Sequence, residues 1–208
     1  MALGALALST AFCLGLLVIR PRVVGVPGHV YLVWNLFLAW IPFAVALVYA
    51  DRAKRGKQGF TQGALLVMWL VFLPNAPYIV TDLIHLKEFG RSPLWFDATM
   101  YVAFAWTGLM LGLVSLYVVH RTVRAQRGPV WGWGLVAGTT ALCGVGIYLG
   151  RFLRWNSWDV LTNPGGLLAD LSRFTDPTSK PVAVAGIFAT FIAVAYLGMY
   201  SLTQLRED

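Results

Sequence analysis

Charge is scarce in this chain: 12% of its 208 residues are Asp, Glu, Lys or Arg, and the acids number only nine. Ordinary soluble domains are about a quarter charged, so this sequence lacks the polar surface a water-soluble fold needs. Cysteine is almost missing too. Cys13 and Cys143 stand alone, each inside an apolar run and without CxxC spacing or a nearby histidine, which excludes a disulfide framework and a zinc ribbon. There is no GxxxxGK[ST] loop, no CxxCH and no HExxH, so the sequence offers no basis for ATP-driven, c-type haem or zincin chemistry. Residues 1–10 carry no Lys or Arg, so the first apolar run does not read as a cleaved signal peptide and is expected to remain as a helix.

What is present is hydrophobic, 58% of the residues, gathered into runs near the roughly 20 residues that cross a hydrocarbon layer. The arrangement predicts an all-α, polytopic membrane protein of about six transmembrane helices, forming a single transmembrane domain over residues 1–208. The expected spans are 2–19, closed by Arg20-Pro21-Arg22; 30–50, closed by the basic run 51–57; a third from Phe60; 96–119; 130–150; and 181–202. Pro74-Asn75-Ala76-Pro77 interrupts the third, because two prolines three apart cannot continue a regular helix. A short helix over 78–89 is expected to resume after it, with Asn75 bonding locally to freed backbone groups. Broken backbone is not tolerated against lipid, so the break should pack inside protein or line a wet cavity.

The net charge of +7 would raise nucleic acid as a partner in a soluble domain. Here Lys and Arg concentrate in short connections, where anionic lipid and the positive-inside bias explain them, so membrane lipid is the expected partner and nucleic acid is not. Lys and Arg divide equally between the two membrane sides. Their density in 51–57 and 120–129 places both termini in the cytoplasm.

Two polar constellations stand out. If the segment after Pro77 is α-helical, Tyr78, Asp82 and His85 fall at i, i+4 and i+7 on one face. Asp82 could then orient His85 and raise its basicity, making them the candidate catalytic pair, with Asn75 and Tyr78 as candidate substrate contacts. The competing reading is a local cap that steadies the broken helix. One His and one Asp fall short of a metal site, and no metal is assigned.

The second constellation is Arg151, Arg154, Asn156, Ser157 and Asp159, interleaved with Phe152, Trp155 and Trp158. It is expected as an interfacial helix between spans five and six, with Arg151, Arg154 and Trp158 on one face, followed by a turn at Asn163-Pro164-Gly165-Gly166. Guanidinium forks suit phosphate or carboxylate, so Arg151, Arg154, Asn156 and Asp159 are candidate substrate-binding residues. The competing reading is an amphipathic helix touching bulk lipid phosphates.

Both constellations lie on connections at the same membrane side, as does Asp97, so they can meet, and ionisable groups at membrane depth mark functional sites by default. His29 and His120 flank spans and read as solvated or interfacial. Asn35 and Pro42 could line a cavity or kink the second span. Gly108/Gly112, Gly134/Gly138 and Gly146/Gly150 have the spacing for close helix packing.

The strings FLPNAPYIVTDLIHL, residues 72–86, and YLGRFLRWNSWDVLTNP, residues 148–164, resemble the bacterial membrane-protein family catalogued as domain of unknown function 1361. The resemblance covers most of the chain and implies a multi-span protein of the bacterial cytoplasmic (inner) membrane, with no established activity, cofactor or catalytic residue. The residues themselves favour binding or processing of a phosphate-bearing or anionic lipid-linked molecule at the extracytoplasmic face. A small transporter or channel, suggested by the broken span, and a non-catalytic membrane assembly partner remain as alternatives.

Overall fold

A computed structural model describes residues 2–25, 28–88 and 94–204. Among them every regular element is helical, and six helices are long and apolar enough to cross a membrane. In chain order the spans are α1 (Ala2–Val24), α2 (Tyr31–Lys54), the stretch Phe60–Leu86 that opens with α3 (Phe60–Phe72), α5 (Leu94–Arg127), α6 (Pro129–Phe152) and α9 (Lys180–Gln204). The short α4 (Asn75–Tyr78) continues the third span, and α7 (Asp159–Thr162) and α8 (Pro164–Leu171) lie between α6 and α9.

Helix α5 is the axis of the bundle. The most apolar stretch of α5 is 61% buried against 11% for that of α1, and α1, α2, α4, α6 and α9 all pack against it. At 34 residues and about 1.5 Å per residue it is about 51 Å long, well beyond the roughly 30 Å hydrocarbon layer. Its polar contacts lace neighbouring helices to it: the Trp69 indole donates to Ser115 Oγ at 2.6 Å, and Ser115 donates to the Pro42 carbonyl at 3.1 Å.

Several helices outrun their expected ends. Helix α1 passes through Pro21 to Val24, because this proline costs one hydrogen bond and is followed by less than a turn. The connection expected at 120–129 is largely helix, since α5 runs to Arg127 and α6 begins at Pro129, a favoured first-turn position. Gly128, at φ 92°, makes the whole turn between them in a left-handed conformation open to glycine.

The third span breaks where the prolines stand, but it does not resume as an α-helix. After the single turn of α4, residues Ile79–Glu88 form a 3-10 helix; Phe89, the expected end, lies outside the described residues. Asn75 Nδ2 donates to the Phe72 carbonyl at 2.8 Å, and Thr81 Oγ1 donates to the Tyr78 carbonyl at 2.7 Å. These side chains satisfy carbonyls that the broken ladder leaves open.

The break is enclosed by protein. Ala76 and Pro77 are buried, and α4 packs against α2, α5 and α6. The approach is at backbone distance: a methyl added at Gly108 would lie 2.7 Å from the Ala76 carbonyl, and one at Gly146 would lie 2.8 Å from Pro74. Gly112 meets Ala76 and Gly150 meets Tyr78 in the same way. Two of the three glycine pairs thus form the seats of the broken helix. The third does not, because Gly134 and Gly138 have nothing within 4 Å, while Gly132 and Gly144 take the tight approaches to His120 and Ala185.

The segment after span five also departs from expectation. Helix α6 stops at Phe152, Arg154 is left-handed at φ 61°, and the Trp155 amide turns back to the Leu149 carbonyl at 3.1 Å. No helix joins Arg151, Arg154 and Trp158 on one face. Asn163-Pro164 is a helix start rather than a free turn: Asn163 Oδ1 accepts from the Gly166 amide at 3.1 Å and Pro164 opens α8. The helix between spans five and six is therefore α8, tied back by the Trp155 indole donating to Asp170 at 2.8 Å.

Candidate functional site

Arg151, on the last turn of α6, is the hub. Its Nη1 donates to Asp82 Oδ1 at 3.1 Å and lies 3.5 Å from the Tyr78 hydroxyl, while Nη2 donates to His85 Nε2 at 2.8 Å. An arginine can only donate, so Nε2 of His85 is the acceptor and the proton of the neutral ring sits on Nδ1. The guanidinium also lies over the Tyr78 ring, 5.8 Å from its centroid. Asp82 is 1% exposed, and its other oxygen accepts from Asn35 Nδ2 at 2.8 Å. In a 3-10 helix residues three apart eclipse, which is how Asp82 and His85 both reach one guanidinium. Asn35, left without a role by the sequence, supplies the fourth side of this cluster.

Beside the cluster is a cleft of about 320 Å³ between α2 and α6, floored by the helix break and roofed by the loop after α6. Asn35 and Tyr78 belong to both cleft and cluster. Trp34, Trp155 and Trp158 wall the cleft, and Asn75, Arg154, Asn156 and Ser157 give it polarity. Asn75 Nδ2 ties floor to roof through Ser157 Oγ at 2.8 Å.

The two arginines consequently part company. Arg151 is engaged by Asp82, His85 and Tyr78, whereas Arg154 lines the cleft, is exposed, and makes no ion pair among the described residues. Asp159 does not join either group. It caps its own turn, accepting from the Asn156 amide at 2.7 Å and from Thr162 at 3.1 Å, and the Asn156 backbone bond in particular holds its carboxyl below the usual range.

A second buried polar group adjoins the cluster on the α1 side. Arg20 forms a two-pronged pair with Asp97, Nε to Oδ1 at 2.9 Å and Nη2 to Oδ2 at 3.1 Å. His29, expected to be solvated, is 6% exposed. Its Nδ1 lies 3.0 Å from the Tyr101 hydroxyl, which meets the Tyr31 hydroxyl at 2.6 Å, and the Tyr31 ring packs edge-on against His85. Burial, with the Arg20 charge second, pushes the His29 imidazole below its ordinary pKa. His120 is likewise not interfacial: it is fully buried, bonded through Nδ1 to the Tyr196 hydroxyl at 2.6 Å and in tilted ring contact with Trp133 and Tyr200. Both histidines were hidden from sequence reasoning because their tyrosine partners lie on distant spans.

Among the described residues no three His, Cys, Asp or Glu side chains converge to hold a metal ion. Curated proteins and solved structures offer no match to the chain. The profile of one family does match, over residues 34–201, a stretch that includes the helix break, the Arg151 cluster and the whole cleft. The chain belongs to the family described as protein of unknown function (DUF1361).

Proposed function

We propose that the cleft receives the head of a phosphate-bearing or otherwise anionic lipid-linked molecule at the extracytoplasmic face of a bacterial cytoplasmic membrane. One observation carries this reading: the cleft combines the exposed Arg154 guanidinium with apolar residues of the spans. Arg154, Asn156 and Ser157 come from the segment after α6, with Trp155, Trp158 and Val160, and Leu38, Val71 and Leu149 come from the helices, with Asn35 and Asn75 beside them. Leu38 lies seven residues into α2, about 10 Å along its axis. An amphiphile could leave its chain among lipids while its head meets the guanidinium. In this reading Arg154 holds the anion, Asn35 and Tyr78, shared by cleft and cluster, link it to His85, which exchanges a proton, and Asp82 acts through Arg151 to fix the ring's position.

Cells lacking the protein are expected to accumulate a lipid-linked substrate relative to wild type. Complementation with His85→Ala or Arg154→Ala should fail to clear it while both variants reach normal abundance. An unchanged lipid profile with altered solute flux would favour a transporter, and no change in either would overturn the reading. The assigned face has its own test. A cysteine at Gly56 should resist an impermeant thiol reagent in intact cells, and its labelling would reverse the orientation.

A further inference from the structure

The three asparagines of the cleft share a feature that narrows what it can hold. Each directs its amide nitrogen into protein. Asn35 Nδ2 donates to Asp82 at 2.8 Å. Asn75 Nδ2 donates to the Phe72 carbonyl and to Ser157 Oγ, both at 2.8 Å. Asn156 Nδ2 donates to Asp159 at 3.2 Å, beside its own backbone amide. These orientations are dictated by the partners, because a carbonyl oxygen or an ionised carboxylate only accepts. Each asparagine is left with its Oδ1 as an acceptor, and Asn35 and Asn156 keep one N–H each.

The cleft thus offers acceptors in the three Oδ1 atoms, donors in the Tyr78 and Ser157 hydroxyls, which accept from Arg151 and Asn75, and one guanidinium, a mixed set of which a bare phosphate or carboxylate, all acceptors, would use only a part. It matches a ligand that carries hydroxyl donors and a single negative charge. No Asp or Glu lines the cleft, so it also lacks the counter-charge for an ammonium head group. The indole walls of Trp34, Trp155 and Trp158 offer apolar faces to the C–H surfaces of a polyol.

We infer that the cleft recognises a polyhydroxylated head group joined to its lipid through one phosphodiester, with Arg154 on the phosphate and the Oδ1 atoms of Asn35, Asn75 and Asn156 on the hydroxyls. This rests on the anionic-lipid reading above and specifies the head group within it. A cyclic polyol and glycerol are the two sources of such a head.

The test uses the full-length protein in detergent, with native mass spectrometry measuring binding of phosphatidylinositol, phosphatidylglycerol and phosphatidic acid. Either hydroxylated lipid should bind at least about tenfold tighter than phosphatidic acid, since two or three added hydrogen bonds each contribute about 0.5–1.5 kcal/mol net. Preference for phosphatidylinositol identifies the ring as the source, and preference for phosphatidylglycerol identifies the acyclic diol. Asn156→Ala should weaken the hydroxylated lipids about three- to tenfold and leave phosphatidic acid unchanged. Arg154→Gly should weaken all three together, and its left-handed backbone, φ 61°, accepts glycine without strain, so folding is retained. Equal binding of all three lipids, lowered by Arg154→Gly, would overturn the hydroxyl inference and leave the anionic-lipid reading standing. Binding that ignores Arg154→Gly would overturn both.

Discussion

Alanine in place of Arg151 is expected to destabilise the protein by about 3–5 kcal/mol, the usual consequence of removing one partner of a buried ion pair. The Arg151 and Asp82 side chains are 12% and 2% exposed, so little water reaches the abandoned carboxylate. Asn35 would be left to hold Asp82 through one hydrogen bond, and His85 would lose the donor that fixes its tautomer. The loss should appear as a lower midpoint in fluorescence-detected thermal unfolding in detergent and as reduced abundance in membranes. Arg151→Lys keeps the charge but not the fork that reaches three partners, and should fall between. The double variant Arg151→Met with Asp82→Leu should recover most of the stability, because apolar residues of similar volume avoid the desolvation cost of the pair. A single Arg151→Ala within about 0.5 kcal/mol of wild type, the range of an inert surface change, would show that the hub does not hold this end of the bundle together.

Breaking the Arg20–Asp97 pair should have an effect of the same size and a more local address. Both side chains are 3% exposed, and Asp97→Ala leaves the guanidinium buried without its two-pronged partner, again about 3–5 kcal/mol. The pair joins the last turns of α1 to the start of α5. Among the described residues the other side-chain ties of α1 to neighbouring helices lie in its first half, Ser9 and Cys13 to Thr107 and Thr10 to Trp40. Loosening α1 should therefore expose Cys13, which is fully buried, and spare Cys143, which is 1% exposed and lies in the α6 core. Thiol alkylation followed by peptide mapping reads this directly. Resistance of Cys13 in Asp97→Ala, equal to that in wild type, would show that α1 is held by its apolar face alone.

How much of this was visible in the residues depended on how far apart the partners are. The six spans follow from local runs of apolar residues, and the break follows from Pro74 and Pro77, since both signals are complete within a few positions. The end of α6 at Phe152 was not visible. Nothing in Leu153-Arg154-Trp155 is a glycine or proline, and the left-handed turn falls on an exposed arginine. That turn parts Arg154, which lines the cleft, from Arg151, which stays on α6 facing Asp82. The partnership of Asn35 with Asp82 spans 47 residues and that of His120 with Tyr196 spans 76, and no pattern along the chain encodes which distant polar groups meet. The glycine pairs are an intermediate case. Their spacing marks surfaces that backbones can approach, yet it cannot say that Gly108/Gly112 and Gly146/Gly150 would face one another's guest while Gly134/Gly138 would face nothing.

The seating of the helix break between those two glycine pairs has a mechanical consequence. Side chains usually cushion the space between helices, and rotamer changes absorb small displacements. Here much of the cushion is missing on both sides, because Gly108 and Gly112 of α5 meet the Ala76 carbonyl and methyl and Gly146 of α6 meets the Pro74 ring, groups with no rotamer to change. Packed interiors are nearly incompressible, so the break behaves as a wedge of fixed width. Any change in the gap between α5 and α6 has to displace it, and Asn75 and Tyr78, which it carries, are the floor of the cleft. The width of the cleft and the separation of the two helices are thus a single mechanical coordinate, with the double-proline turn as its rigid link.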